Sequence, residues 1–302
     1  MFDVLQLTFI QHALLAGVCI AVAAAVIGYF LIIRGLTFAG HALPNIGFAG
    51  AAGAVLFGIE PVFGLFLFTI VAAIGIGLLG KEIRHRDSAV GIIMVFALGL
   101  GIAFLSLYSG YAEQVYSILF GQIVGISQTD VQVTAICSIL TLLLLLVAFR
   151  PLLFSSFDQD VAQARGVPVY LLALLFLVLV AVTVSMAVQI VGALLVFVLL
   201  VGPAATATRI VQRPLWAILL AICLSVCYTV LGIVLAATGN WPVSFYIATL
   251  AFLVYLPVRV ASPLWRGYGA RKRLQHRSAL SFPIANEQHP ILRPSGQSRE
   301  RQ

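Results

Sequence analysis

The chain is 302 residues long, 62% hydrophobic and only 9% charged, with a mean hydropathy of +1.12 and a formal net charge of +7. So little polar surface excludes a water-soluble globule and defines an integral membrane protein. The positive balance alone would admit nucleic acid or anionic lipid as a partner, but the topology accounts for most of it, and no nucleic acid is expected.

A spanning helix needs about 20 mainly apolar residues. In chain order, the windows that qualify predict helices over 7–33, 38–57, 62–79, 88–108, 130–149, 168–187, 189–211, 214–236 and 243–262. The expected fold is therefore all-α, with about nine transmembrane helices; eight or ten would require a misread short hairpin. The first window runs beyond a signal-peptide core of about 7 to 15 residues and lacks a small-residue cleavage site, so the first helix is expected to be retained. Lys and Arg flanking the spans mark the cytoplasmic side. With the amino terminus outside and the carboxyl terminus cytoplasmic, Arg34, Lys81, Arg84, Arg86, Arg150, Arg165, Arg209 and Arg213 all lie inside, and Asp3, Glu60, Glu113 and Asp130 lie outside.

The second window contains GHALPNIGFAG, residues 40–50. Pro44 removes a backbone donor, and Gly47 with its neighbouring glycines loosens the helix or lets another helix approach closely. Non-helical backbone at this depth survives only where protein or a water-filled cavity satisfies it. His41 and Asn45 are four apart and share a face if the helix continues past the proline. Two readings stay open: an interhelical hydrogen-bonding pair, or part of a cargo path. Further on, GIGLLGKE at 75–82 nearly matches the phosphate-binding loop, but Glu82 replaces the required hydroxyl and the segment ends an apolar span. If ATP drives this protein, another subunit binds it.

Residues 111–126, YAEQVYSILFGQIVGI, are expected as an outer re-entrant or interfacial helix rather than a span. Residues 149–169, FRPLLFSSFDQDVAQARGVPV, can hold a short helix along the inner surface, able to transmit force from a partner, or simply a connecting loop. Asp158 and Asp160 suit the start of such a helix, Gly166 its end, and Pro168 the opening of the next span. A second broken helix is expected over 189–211, where Gly202 and Pro203 interrupt an apolar run followed by Ala204, Ala205, Thr206, Ala207 and Thr208. Two Gly/Pro-interrupted spans are the pattern of a translocation pathway, with kinked packing helices as the alternative.

Cys19, Cys137, Cys223 and Cys227 fall inside predicted spans without metal-type spacing and read as packing residues. There is no GxSxG, no HExxH and no pair of intramembrane carboxylates, so the chain is not expected to be an enzyme, and a proton-coupled carrier lacks its titratable group. Residues 1–262 are expected to form one transmembrane domain. Residues 263–302 carry Arg266, Arg271, Lys272, Arg273, Arg277, Arg293, Arg299 and Arg301 against Glu287 and Glu300, and are expected to be a disordered cytoplasmic tail beside anionic lipid.

The segment 157–207, FDQDVAQARGVPVYLLALLFLVLVAVTVSMAVQIVGALLVFVLLVGPAATA, is similar to FDPxxAxAxGxP followed by VGxLLVxALLxxPAATA. RGLTFAGHAL at 34–43, DSAVGI at 87–92 and LFGQIVGIS at 119–127 are similar to RRxxxxGDAL, EDxxIGI and LFGxILxVS. On these motifs the chain, from about residue 10 to 255, resembles the permeases of metal-uptake ABC transporters, the membrane subunits of zinc, manganese and iron importers. The resemblance implies a homodimer in the bacterial inner membrane, cytoplasmic ABC ATPase subunits and an extracytoplasmic metal-binding protein. It implies no permanently bound cofactor, ATP on the partner subunit and a divalent metal as cargo. Asp158, Asp160, Ala162, Arg165 and Gly166 would belong to the coupling helix seated in the ATPase, and 113–126 would lie near the docking surface of the binding protein.

One departure bears on the cargo. The family usually reads GDALSHAVLPG, with Asp and His four apart and proposed to touch the metal; the aligned residues are His41 and Asn45, with Pro44 for the serine. A His/Asn pair brings no charge. Neutral imidazole suits zinc, copper, nickel and iron better than manganese, while loss of the carboxylates raises the cost of passing a bare dication. Zinc import through a transient site at His41 and Asn45 is the expectation, with manganese or iron as other metals. A chelated metal or other small cation, a secondary carrier and a non-transporting scaffold are the alternatives.

Overall fold

The computed structural model describes residues 8–79, 83–108, 125–239 and 241–280. Ten helices follow in order: α1 (Thr8–Ile33), α2 (Thr37–Leu56), α3 (Pro61–Leu78), α4 (Ile83–Leu107), α5 (Gln128–Phe157), α6 (Gln159–Ala164), α7 (Val169–Val191), α8 (Ala193–Ile210), α9 (Pro214–Thr238) and α10 (Val243–Leu280). Eight of them are long and apolar enough to cross a membrane. α2 is long enough at 20 residues, but its His, Asn, Pro and glycines set it apart from that apolar group. Most of the expected re-entrant segment 111–126 and the tail beyond Leu280 lie outside the described residues.

α1 and α7 form the middle of the bundle, each with 67% of its apolar window buried, against 11% for α10. α1 packs against α9, α8, α5 and α7, while α2 packs against α3, α4 and α8. Lipid offers no hydrophobic drive for helices to associate, so contact area and close backbone approach have to hold them together. The sequence supplies small residues for this. Ala13, Ala16, Gly17, Ala21, Ala24 and Ala25 of α1 are buried, and a methyl at Gly28 would run into the Leu200 carbonyl of α8. Gly50 of α2 and Gly64 of α3 cross in the same way, since a Cβ on either would meet the other's carbonyl oxygen.

Neither proline breaks its helix. α2 runs through Pro44 and α8 through Pro203, both buried, whereas the expected pattern had both helices interrupted. Gly47, expected either to loosen α2 or to let another helix approach closely, does the second: it packs against α3, and a Cβ there would stand 2.6 Å from Thr69 Cγ2. The glycines of α2 thus serve helix contact. The break in this half of the chain is at Gly192, which has φ 90° and ends α7 while opening α8. Only a residue without Cβ adopts that backbone cheaply.

α5 is longer than expected because Arg150 and Pro151 do not stop it. It starts with a capping box, in which Ser127 Oγ accepts from the Asp130 N–H at 3.1 Å and Asp130 Oδ2 accepts from the Ser127 N–H at 3.0 Å. α10 continues as helix beyond the expected end at 262 to Leu280. The chain divides into two units, 1–260 and 261–302.

Candidate functional site: the α2 face and the α6 surface helix

His41 lies in the second turn of α2, with its side chain exposed. Its ring stands edge-on to Phe197 of α8, with centroids 5.0 Å apart and planes at 72°, and Phe38 is 6.4 Å away on the other side. Two aromatic neighbours fix the imidazole plane while leaving it accessible. Asn45, one turn on, is half-buried. Its Nδ2 donates to the His41 carbonyl oxygen at 2.8 Å and also approaches Met94 Sδ of α4 at 3.7 Å. The expected pair therefore shares one face of a continuous helix. Asn45 is held there by backbone and a thioether.

No carboxylate stands on α2 itself. From Thr8 to Leu79 the only carboxylate is Glu60, at the start of α3, and among the described residues no three His, Cys, Asp or Glu side chains gather as a metal site. What the α2 face offers a cation is an imidazole and an amide oxygen, enough for passing contact rather than a resident ion. Pro44 and Gly47 are buried against neighbouring helices and shape α2 from behind. In α8, Gly202 is half-buried and Pro203 buried. Thr206 donates to the Gly202 carbonyl at 2.8 Å and Thr208 to the Ala204 carbonyl at 2.9 Å, so both hydroxyls turn back on their own helix. The stripe after Pro203 is packed backbone, with its polar groups internally satisfied.

Sequence reasoning missed Phe197 and Met94. Each sits in an unbroken apolar run, where nothing in local spacing marks a site residue.

The second locality is α6. Asp158 is its N-cap and accepts from the Val161 N–H at 3.0 Å. Asp160 falls in the first turn, where a negative charge complements the helix dipole. Gly166 (φ 80°) closes the helix: its N–H donates to the Gln163 carbonyl at 3.0 Å, and the Val167 N–H to the Ala162 carbonyl at 3.1 Å. Ala162 is fully buried and pins the helix down. Phe157, 70% exposed, and Val161, 43% exposed, project outward, and Arg165 lies 5.7 Å over the Phe154 ring. The expected short helix is present, and it lies along the surface with a small apolar pair showing.

A bundle of apolar helices, with an exposed His41 beside Asn45 and a capped surface helix, defines a polytopic membrane protein. The family model described as "ABC 3 transport family" matches residues 6–262, and the chain belongs to that family, as a metal-uptake ABC permease of the plasma membrane. It is 32% identical over 289 residues to the manganese transport system membrane protein MntC of Halalkalibacterium halodurans, a match that covers 93% of this chain and 98% of that one. It is 33% identical over 252 residues to the manganese import system permease protein ScaB of Streptococcus gordonii, with 82% and 89% covered. Among solved structures, PsaBC from Streptococcus pneumoniae in complex with Fab superposes with a TM-score of 0.76 at 30% identity, covering 85% of this chain and 93% of that chain.

Proposed function

We propose that this chain is the membrane subunit of an ATP-driven importer of divalent transition metals, and that two copies bring their α2 faces together so that cargo passes His41 and Asn45. The observation that carries this is the exposed His41 ring, braced by Phe197 and Phe38 with Asn45 fixed one turn away. ATP hydrolysis belongs to a separate cytoplasmic subunit, which grips α6 through Phe157 and Val161. Arg165 and the capped ends fix the angle of that helix, and an external metal-binding protein delivers the ion.

The imidazole favours zinc over manganese, whereas the amide oxygen also suits manganese. Manganese is the second reading, supported by the names of the relatives, which are manganese systems. The test is total cellular metal under metal limitation, in cells lacking the gene and carrying back either wild type or His41→Ala. One metal should fall in the deletion, recover with wild type and stay low with His41→Ala at equal protein abundance. Recovery with His41→Ala would remove the α2 face from the pathway. Unchanged metal content in the deletion would end the import reading.

A further inference from the structure

An amide side chain has two N–H donors and one acceptor oxygen. In Asn45, Nδ2 lies 2.8 Å from the His41 carbonyl oxygen and 3.7 Å from Met94 Sδ, two acceptors for a group with two hydrogens. Turning the amide over would set Oδ1 against a carbonyl oxygen and a thioether, neither of which can donate. The surroundings therefore fix which end of the amide is free. What remains for anything on the α2 face is the oxygen.

Met94 is packed on the core and its sulfur is directed at the Asn45 amide, so its effect on the α2 face runs through Asn45. We infer that Met94 is a positioning residue for cation recognition: by accepting the second amide hydrogen it holds Asn45 with only its oxygen to offer, so that His41 and Asn45 present electron pairs and no competing N–H. This rests on the import reading above and adds a residue on a different helix, α4, to the selectivity of the site. An amide released from Met94 keeps its bond to the His41 carbonyl but leaves its second N–H without an acceptor, which repels a cation and weakens its passage.

The test measures zinc and manganese uptake in the deletion strain carrying wild type, Met94→Leu or Met94→Gln, with rates normalised to the abundance of the membrane protein. Leu fills the methionine volume but accepts no hydrogen bond. Gln reaches as far and keeps an acceptor, at some cost in packing. A packing role ranks Leu above Gln, and an acceptor role ranks Gln above Leu.

We expect Met94→Leu to lower the maximal uptake rate about threefold to tenfold, the worth of one modest hydrogen bond, with the apparent KM, set by capture on the external binding protein, held within about twofold. Met94→Gln should stay near wild type in rate. In an Asn45→Ala background, Met94→Leu should lower the rate no further. Leu equal to wild type or better than Gln overturns the inference, as does an additive loss in the Asn45→Ala background. If wild type restores uptake of neither metal, the import reading itself falls and takes this inference with it.

Discussion

Replacing Gly64 with alanine tests whether helix contact, rather than helix breaking, is what the glycines of this bundle provide. A Cβ at Gly64 would stand 2.7 Å from the Ala54 Cβ and 2.8 Å from the Gly50 carbonyl carbon. Carbon atoms prefer about 3.5 to 4.0 Å, so α2 and α3 would have to separate by about 1 Å at their crossing. Inserting a methyl into a packed contact costs about 1 to 3 kcal/mol. Gly75, on the same helix α3, has open space around its would-be Cβ. Any gain in helix propensity from Gly→Ala is common to the two sites and cancels in the comparison. Purified protein in detergent should therefore show Gly64→Ala less stable than Gly75→Ala by about 1 to 3 kcal/mol in chemical or thermal unfolding. Gly64→Ala should also lose transport, because α2 carries His41 and Asn45. Equal stability of the two variants would refute the claim that close approach at this crossing holds α2 in place.

Thr69 of α3 and Ser185 of α7 share a buried hydroxyl contact at 2.6 Å. Thr69→Val leaves Ser185 without that partner and should destabilise by about 1 to 3 kcal/mol, while adding Ser185→Ala should recover most of the loss, since removing both polar groups costs far less than orphaning one; detergent unfolding of the three variants measures it, and equal loss in single and double variants would count against the pairing. At α6, Asp158→Ala removes an N-cap worth about 1 kcal/mol, and Val161→Asp puts a charge into the small exposed apolar pair. Both should lower co-purification with the ATPase subunit, Val161→Asp the more, while abundance of the membrane protein holds; undiminished co-purification would place the docking surface elsewhere.

How much of this was legible in the sequence depended on whether the relevant signal was local. Long apolar windows marked the helices because span length is dictated by bilayer thickness. The α6 helix was legible because Asp158 and Gly166 are cap residues with known backbone consequences, and Ser127 with Asp130 was an equally readable cap whose S-x-x-D spacing went unused. Prolines mislead, since Pro44 and Pro203 read as helix breaks while neighbouring helices and side chains can re-satisfy the freed backbone groups. The glycines carry two readings, a loosened helix or a close approach, and for Gly47 only its neighbour Thr69 of α3 decides for the second. The break at Gly192 was invisible because one glycine among many took the positive φ, a choice set by how α7 and α8 pack. The candidate site divides along the same line. His41 and Asn45 announce themselves by a spacing of one helical turn, whereas Phe197 and Met94 come from α8 and α4 and look in sequence like any lipid-facing or packing residue. A face built from one polar turn and two distant apolar side chains can therefore change how it meets a cation through substitutions, such as Met94→Leu, that leave its polar residues untouched.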